Sequence, residues 1–188
     1  TYNDANRLTT YNGEKVIYDA KGNMTYGPVD GKMQELTYDC RNRLTEAGGV
    51  TYTYDAENTR IASTKDGKTT EYVTNTGGSL SQLLVAYEAD NTQTMYYYGA
   101  EGLAGQYNSG TQEYIHYHYD NIGSTTFITS KAGEILERFV YGTYGELLSE
   151  VKNNIRFLYN GAYGVTTDEN GLYYMRARYY NPDIKRFI

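Results

Sequence analysis

Several residues in this 188-residue chain have the type and spacing to do chemistry. His116 and His118 stand one residue apart, so on an extended strand both imidazoles share a face and could hold one metal ion. No third ligand has a matching spacing. The pair therefore reads as two polar side chains, and no metal or other cofactor is expected. Asp19, Asp39, Asp55 and Asp120 each stand alone, without the alternating acids of a calcium loop. Cys40 is the sole cysteine, so no internal disulfide can form. No His, Asn or Asp constellation points to it as a nucleophile, and a plain buried or half-buried side chain is expected. Twenty-four tyrosines, against 4 Phe and no Trp, could stack on sugar rings or pack across strands. Cross-strand packing is the favoured reading. Asp168-Glu169-Asn170-Gly171 has the composition of a hairpin turn.

The elements that position these residues repeat. YNDANR at Tyr2, YDAKGN at Tyr18, YDCRNR at Tyr38 and YDAENT at Tyr54 align without gaps, and YDNIGS at Tyr119 is a fifth copy. The first four tyrosines are 16, 20 and 16 residues apart, room for two short strands and two turns. The second position is Asn3, Asp19, Asp39, Asp55 or Asp120, whose short side chain can accept a backbone N–H two residues on. The fifth is Asn6, Gly22, Asn42, Asn58 or Gly123, the two residue types that best tolerate the positive φ of a tight turn. Apolar residues follow at Leu8, Met24 and Leu44 and, one place later, at Ile61.

Alternation by two marks the strands. Val50, Tyr52 and Tyr54 oppose Thr51, Thr53 and Asp55, while Ile115, Tyr117 and Tyr119 oppose Tyr114, His116 and His118. The best helical candidate, 79–86, fits a strand equally well. The fold class expected is all-β: tandem antiparallel hairpins in a curved or spiral sheet of roughly 18–22 strands. The net charge of −6 argues against nucleic acid as a partner. The longest aliphatic run, Leu83-Leu84-Val85-Ala86, is far too short to span a membrane. The start, TYNDANRLT, reads as mid-pattern, so a segment of a longer polypeptide is expected.

The tandem Tyr-Asp pattern resembles the YD repeats of RHS proteins, which are related to the C components of Tc toxins and to teneurin shells. YDNIGSTTFIT (119–129), YGTYGEL (141–147), FLYNGAYGVTTDENGLYY (157–174) and RARYYNPDIKRF (176–187) resemble the RHS repeat-associated core. The resemblance divides the chain into a YD-repeat region, 1–112, and a core region, 113–188, continuous with the same sheet. The core motif maps onto Arg176, Arg178, Tyr179, Tyr180, Asn181, Pro182 and Arg186. Asn181 stands where the family usually has aspartate, and Lys185 where it usually has glycine.

Such a resemblance implies a hollow, cocoon-like shell, closed at one end by the core, around a C-terminal toxin. It also implies an aspartic self-cleavage in many members. Asp168 and Arg156 align with an aspartate and an arginine linked to that reaction. The family's cleavage motif would begin beyond Ile188, so the 188 residues are not expected to cut themselves. The function implied is a structural shell segment that encases and delivers an effector, its partners being the remaining shell and that effector. The alternative is a surface module that recognises a glycan or another cell. Either places the protein outside the cytoplasm, secreted or on a bacterial surface. From Leu172 to Tyr180 the alternation suggests one strand, with Arg176 and Arg178 on one face as internal partners for carboxylates.

Overall fold

The structure, a computed structural model, describes residues 1–188 apart from Ala5 and Glu101. Nineteen strands form among the described residues, and the 79–86 segment resolves as the strand Gln82–Tyr87. Thirteen strands, from Ile17–Tyr18 to Ile135–Arg138, make one antiparallel sheet in strict chain order. Each pairs only with the strands before and after it, which short hairpin turns permit and crossover connections do not. The sheet continues across 112/113, a hairpin turn between Gly102–Asn108 and Glu113–Tyr119. A second sheet pairs Thr166–Thr167, Tyr173–Met175, Arg178–Asn181 and Arg186–Phe187.

The repeats account for the turns. In each of the five copies the second residue's N–H meets the carbonyl four residues on, and the fifth residue's N–H returns to the second's carbonyl. Four more turns share this bond pattern without the Tyr-Asp signature, beginning at Glu88, Ser130, Gly142 and Asp168. In the Asp19, Asp39, Asp55 and Asp120 turns, Oδ1 accepts two backbone N–H groups, from the residues two and four ahead. Gly22, Asn42, Asn58 and Gly123 all take positive φ. Cys40 occupies the third turn position and is exposed, not buried or half-buried as expected, because it lies in the hairpin turn rather than on a strand.

One sheet face is buried. Val50 and Tyr52, like Ile115 and Tyr117, lie inside, while Thr51, Thr53, Tyr114 and His116 face out. Two apolar clusters form on that face. One holds Leu8, Met24, Leu36, Leu44, Val50 and Tyr52. The other holds Tyr96, Leu103, Ile115, Tyr117 and Ile128. Residues 139–188 complete both: Leu172, Tyr179 and Ile184 join the first, Phe139, Ile155, Phe157 and Leu158 the second.

This closing segment is also stitched to the sheet by polar side chains. The Asn170 amide donates to the Ala47 carbonyl and to Tyr52 Oη, and Asn181 donates to the Pro28 carbonyl at 2.7 Å. The turn carrying Pro182 puts Asp183 where it accepts the Gly31 N–H. Both amides are buried, so these bonds satisfy donors that would otherwise be costly.

Residues 172–180 differ from expectation. They form a hairpin, not one strand, pairing Tyr173 with Tyr180, Tyr174 with Tyr179 and Met175 with Arg178. Arg176 turns the chain at φ 61°, outside the usual turn chemistry. Its guanidinium is held there by the Ser81 side chain and by the Ser81 and Tyr163 carbonyls. The expected carboxylate partners are not there. Neither Arg176 nor Arg178 forms an ion pair among the described residues, and Arg178 lies over the Phe187 ring at 3.7 Å. Arg186 instead grips the Asn6 carbonyl and side-chain oxygen.

Candidate functional site

Counting six residues on from the repeat tyrosine gives Leu8, Met24, Leu44, Arg60 and Thr125. All five are buried. Arg60 therefore occupies the column filled by Leu or Met in the first three copies, and it is 4% exposed. Ile61, the apolar residue one place later, does not take over this inward position. The turn preserves its register, so Ile61 falls on the outer face and is exposed. A buried guanidinium is costly unless paired and bonded.

The pairing comes from the closing segment. Arg60 Nη1 donates to Asp168 Oδ2 at 2.5 Å, and the two side chains are 3% and 6% exposed. Nη1 also reaches Tyr179 Oη at 3.3 Å, and Nη2 donates to Thr166 Oγ1 at 3.1 Å. Four tyrosine rings surround the cation: Tyr174 at 4.0 Å, Tyr72 at 5.1 Å, Tyr52 at 5.4 Å and Tyr179 at 6.0 Å. Tyr52 and Tyr179 belong to the first apolar cluster and Tyr72 packs on the second, so Arg60 sits where the two meet. Burial is the largest single effect and works against its charge, but the Asp168 carboxylate together with Tyr179 and Tyr72 outweighs it and holds the guanidinium well above its ordinary value. Burial likewise pushes the Tyr52 and Tyr179 hydroxyls well up, and Tyr54 up to about 12.

Asp168 occupies the second position of a repeat-type turn. Four other turn aspartates spend Oδ1 on their own turn, but here the Leu172 N–H goes to Asn170 Oδ1. This frees the Asp168 carboxylate to cross to Arg60, 108 residues earlier.

Arg156 lies on the same side of the molecule. The Thr167 N–H donates to its carbonyl at 2.7 Å, and Arg156 and Asp168 both line one pocket of ≈ 460 Å³ with Ser63, Tyr72 and Thr167. Their side chains do not pair with each other. Arg156 Nη2 meets Glu88 at 2.7 Å, and Glu88 also accepts from Thr70 Oγ1. Burial opposes the Arg156 charge, yet Tyr96, Tyr72 and Glu88 together raise its value. Thr167 Oγ1 is buried in this region without a hydrogen-bond partner.

The remaining candidates scatter. His118 stacks on Phe127 at 4.2 Å and bonds Thr129, while His116 is exposed on the same face. The turn residues line the sheet ends. Tyr179 joins the Arg60 cluster, and Tyr180 bonds the Tyr144 carbonyl and stacks on Tyr173.

A hairpin meander whose inner face is covered by its own C-terminal segment, locked by a buried Arg–Asp pair, defines a segment of a tyrosine–aspartate repeat shell. The sequence profile of the Teneurin YD-shell matches residues 1–175, and the chain belongs to that family. Among similar proteins is the tRNA3(Ser)-specific nuclease WapA of Bacillus spizizenii, 35% identical over 97% of this chain and 8% of that protein. Salivary gland surface protein 1 of Aedes aegypti is 33% identical over 52% of this chain and 3% of its own length. Of solved structures, the Photorhabdus luminescens Tc holotoxin pore matches 90% of this chain with a TM-score of 0.64 at 17% identity. The TcdB2-TccC3 complex matches 82% with a TM-score of 0.57 at 18% identity. The chain spans 9% of each of those structures' matched chains, so the likeness is one of shell architecture.

Proposed function

We propose that this chain is a wall segment of a secreted or bacterial surface shell that encases a C-terminal effector and delivers it. The carrying observation is the closing segment. Residues 139–188 cover the buried face of the sheet and are fixed to it by the Arg60–Asp168 pair and by Asn170 and Asn181. Likeness to Tc toxin shells and to a nuclease that shares this segment supports the reading. The parent protein's self-cleavage belongs to the same proposal. A two-carboxylate mechanism shares one proton between two groups, and Asp168, buried and bound to Arg60, suits the role of one of the two. Arg156, on the same pocket, suits a supporting charge.

The test uses the complete natural protein. Its C-terminal effector should resist added protease until the shell is opened by denaturant, and Asp168→Asn should block release of a cut fragment. An effector digested as fast as free effector would overturn encasement. Full cleavage in Asp168→Asn would remove Asp168 from the reaction.

A second reading, recognition of a glycan or another cell, has one observation in its favour. Tyr97 and Tyr114, both exposed, stack at 6.2 Å on the outer face, with Tyr107 at 4.6 Å from Tyr114. A glycan array on the chain tests it; no sugar bound above background rejects it.

A further inference from the structure

A second pocket of ≈ 460 Å³ opens where the Asp39 and Asp55 turns of the large sheet meet the Arg176–Ala177 turn of the closing hairpin. Its rim carries Arg41, Arg43, Arg176 and Arg178, in a chain whose net charge is −6. Only Arg43 has a carboxylate, that of Asp39 at 2.7 Å. Arg41 is held by the Ala56 carbonyl and Asn58 Oδ1, and Arg176 by a hydroxyl and two carbonyls. Arg178 makes no hydrogen bond among the described residues. It is exposed, and stacking on Phe187 at 3.7 Å fixes its plane and leaves its N–H fork open. Clustered guanidiniums repel one another unless counter-charge is supplied, and among the described residues the fold supplies one carboxylate for four.

The floor is of another kind. Leu44 and Tyr179 are buried beneath the rim, and Tyr54 lies between them, its hydroxyl 3.0 Å from that of Tyr179. Tyr38 also lines the pocket, and its hydroxyl is buried with no partner.

We infer that this pocket binds a short acidic peptide, one bearing a carboxylate beside an apolar side chain. The carboxylate meets the Arg178 fork, with Arg41 alongside, because planar guanidinium matches carboxylate with two parallel bonds. The neighbouring apolar residue covers the floor between Tyr38, Leu44 and Tyr179. Charge complementarity selects this occupant: the rim is basic, the floor is apolar, and the site is a cleft rather than a flat patch. The inference does not depend on what the shell encloses.

The test measures fluorescence anisotropy of labelled hexapeptides alternating Asp or Glu with Leu or Phe, titrated with the 188-residue chain. Matched peptides with Lys in place of the acids, and inorganic phosphate as competitor, serve as the other arms. Acidic–apolar peptides should bind at least tenfold more tightly than Lys peptides, and their affinity should fall as salt rises from 50 to 300 mM. Arg178→Glu should reduce affinity at least tenfold without shifting the thermal midpoint, since Arg178 is exposed and touches only Phe187's ring. Arg41→Glu should weaken binding by a smaller factor and serves as a second variant. Absence of binding at about 1 mM peptide, unchanged affinity in Arg178→Glu, or phosphate displacement with no peptide preference would each overturn the assignment.

Discussion

Asp168 Oδ2 and Arg60 Nη1 meet at 2.5 Å, shut away from solvent, although they stand 108 positions apart in the chain. Each breaks the rule of its own repeat. Arg60 takes a place that Leu and Met hold in earlier copies, and Asp168 leaves the turn that other aspartates close. The two departures answer each other. Removing one partner strands a buried charge, and removing both restores an apolar column.

Arg60→Met alone, or Asp168→Leu alone, should therefore cost about 3–5 kcal/mol, whereas the double substitution should recover most of that loss. Urea unfolding of the four proteins measures the coupling. Additive losses would mean that the side chains stabilise the fold separately.

The pair Arg156–Glu88 is more open, its side chains 15% and 16% exposed. Glu88→Gln keeps the shape and removes the charge, and should cost about 1–3 kcal/mol. In the complete protein this variant separates an electrostatic role of Arg156 from a packing one. A cleavage rate that changes under conditions where the variant is still fully folded would assign Arg156 to the reaction.

Alkaline pH should unfold the chain through its tyrosines. Burial holds the Tyr54 proton up to about 12, against 10.0 for an ordinary tyrosine. The folded state binds this proton more tightly than the unfolded chain does, so the stabilisation is complete below pH 10 and is lost between about pH 10 and 12. At the acid end, desolvation is the largest single effect and opposes, but hydrogen bonds from Arg43 and Arg41, with the Arg43 charge, together outweigh it and hold Asp39 below its ordinary 3.8. Its contribution is present above that value and disappears beneath it. Thermal midpoints across pH, read with tyrosinate absorbance, should show both limbs; a flat profile to pH 12 would contradict the buried-tyrosine account.

Gly133 and Gly145 hold the same turn position at φ 84° and 85°. A methyl at Gly133 meets nothing, while at Gly145 it would lie 2.8 Å from the Tyr159 ring. That ring is stacked on Tyr173 and Tyr180 and has little room to retreat. Gly133→Ala should cost about 1 kcal/mol for the left-handed backbone alone. Gly145→Ala should cost clearly more in the same denaturation assay. Equal losses would show that the Tyr159 stack yields freely.

Much of the sheet was legible because hairpin turns are local. Asp19 with Gly22, or Asp55 with Asn58, specifies a turn within six residues, and alternation around Tyr52 and Tyr117 specifies the buried face. Turns at Glu88, Ser130 and Gly142 kept Asn91, Gly133 and Gly145 but lost the Tyr-Asp pair, so they did not register as repeats. The Arg176–Ala177 turn had no local signal at all, since Ser81 and Tyr163, distant in sequence, hold it. Arg60 breaks the apolar column that Leu8, Met24 and Leu44 define, so hydrophobic patterning does not mark it as buried. Strict counting from Tyr54 finds it, but only the three-dimensional fold shows that Asp168 neutralises it.

Strict chain order in the large sheet also sets a timetable. Every hairpin can pair as soon as its own residues are available, because each strand needs only its neighbour. Arg60 cannot: its counter-charge is made more than a hundred residues later. Until residues 166–179 arrive, that cation stands among its tyrosines without a carboxylate partner. Those hairpins reach back across the sheet and quench it, so the last contact made here is also the one that satisfies the earliest misfit in the pattern.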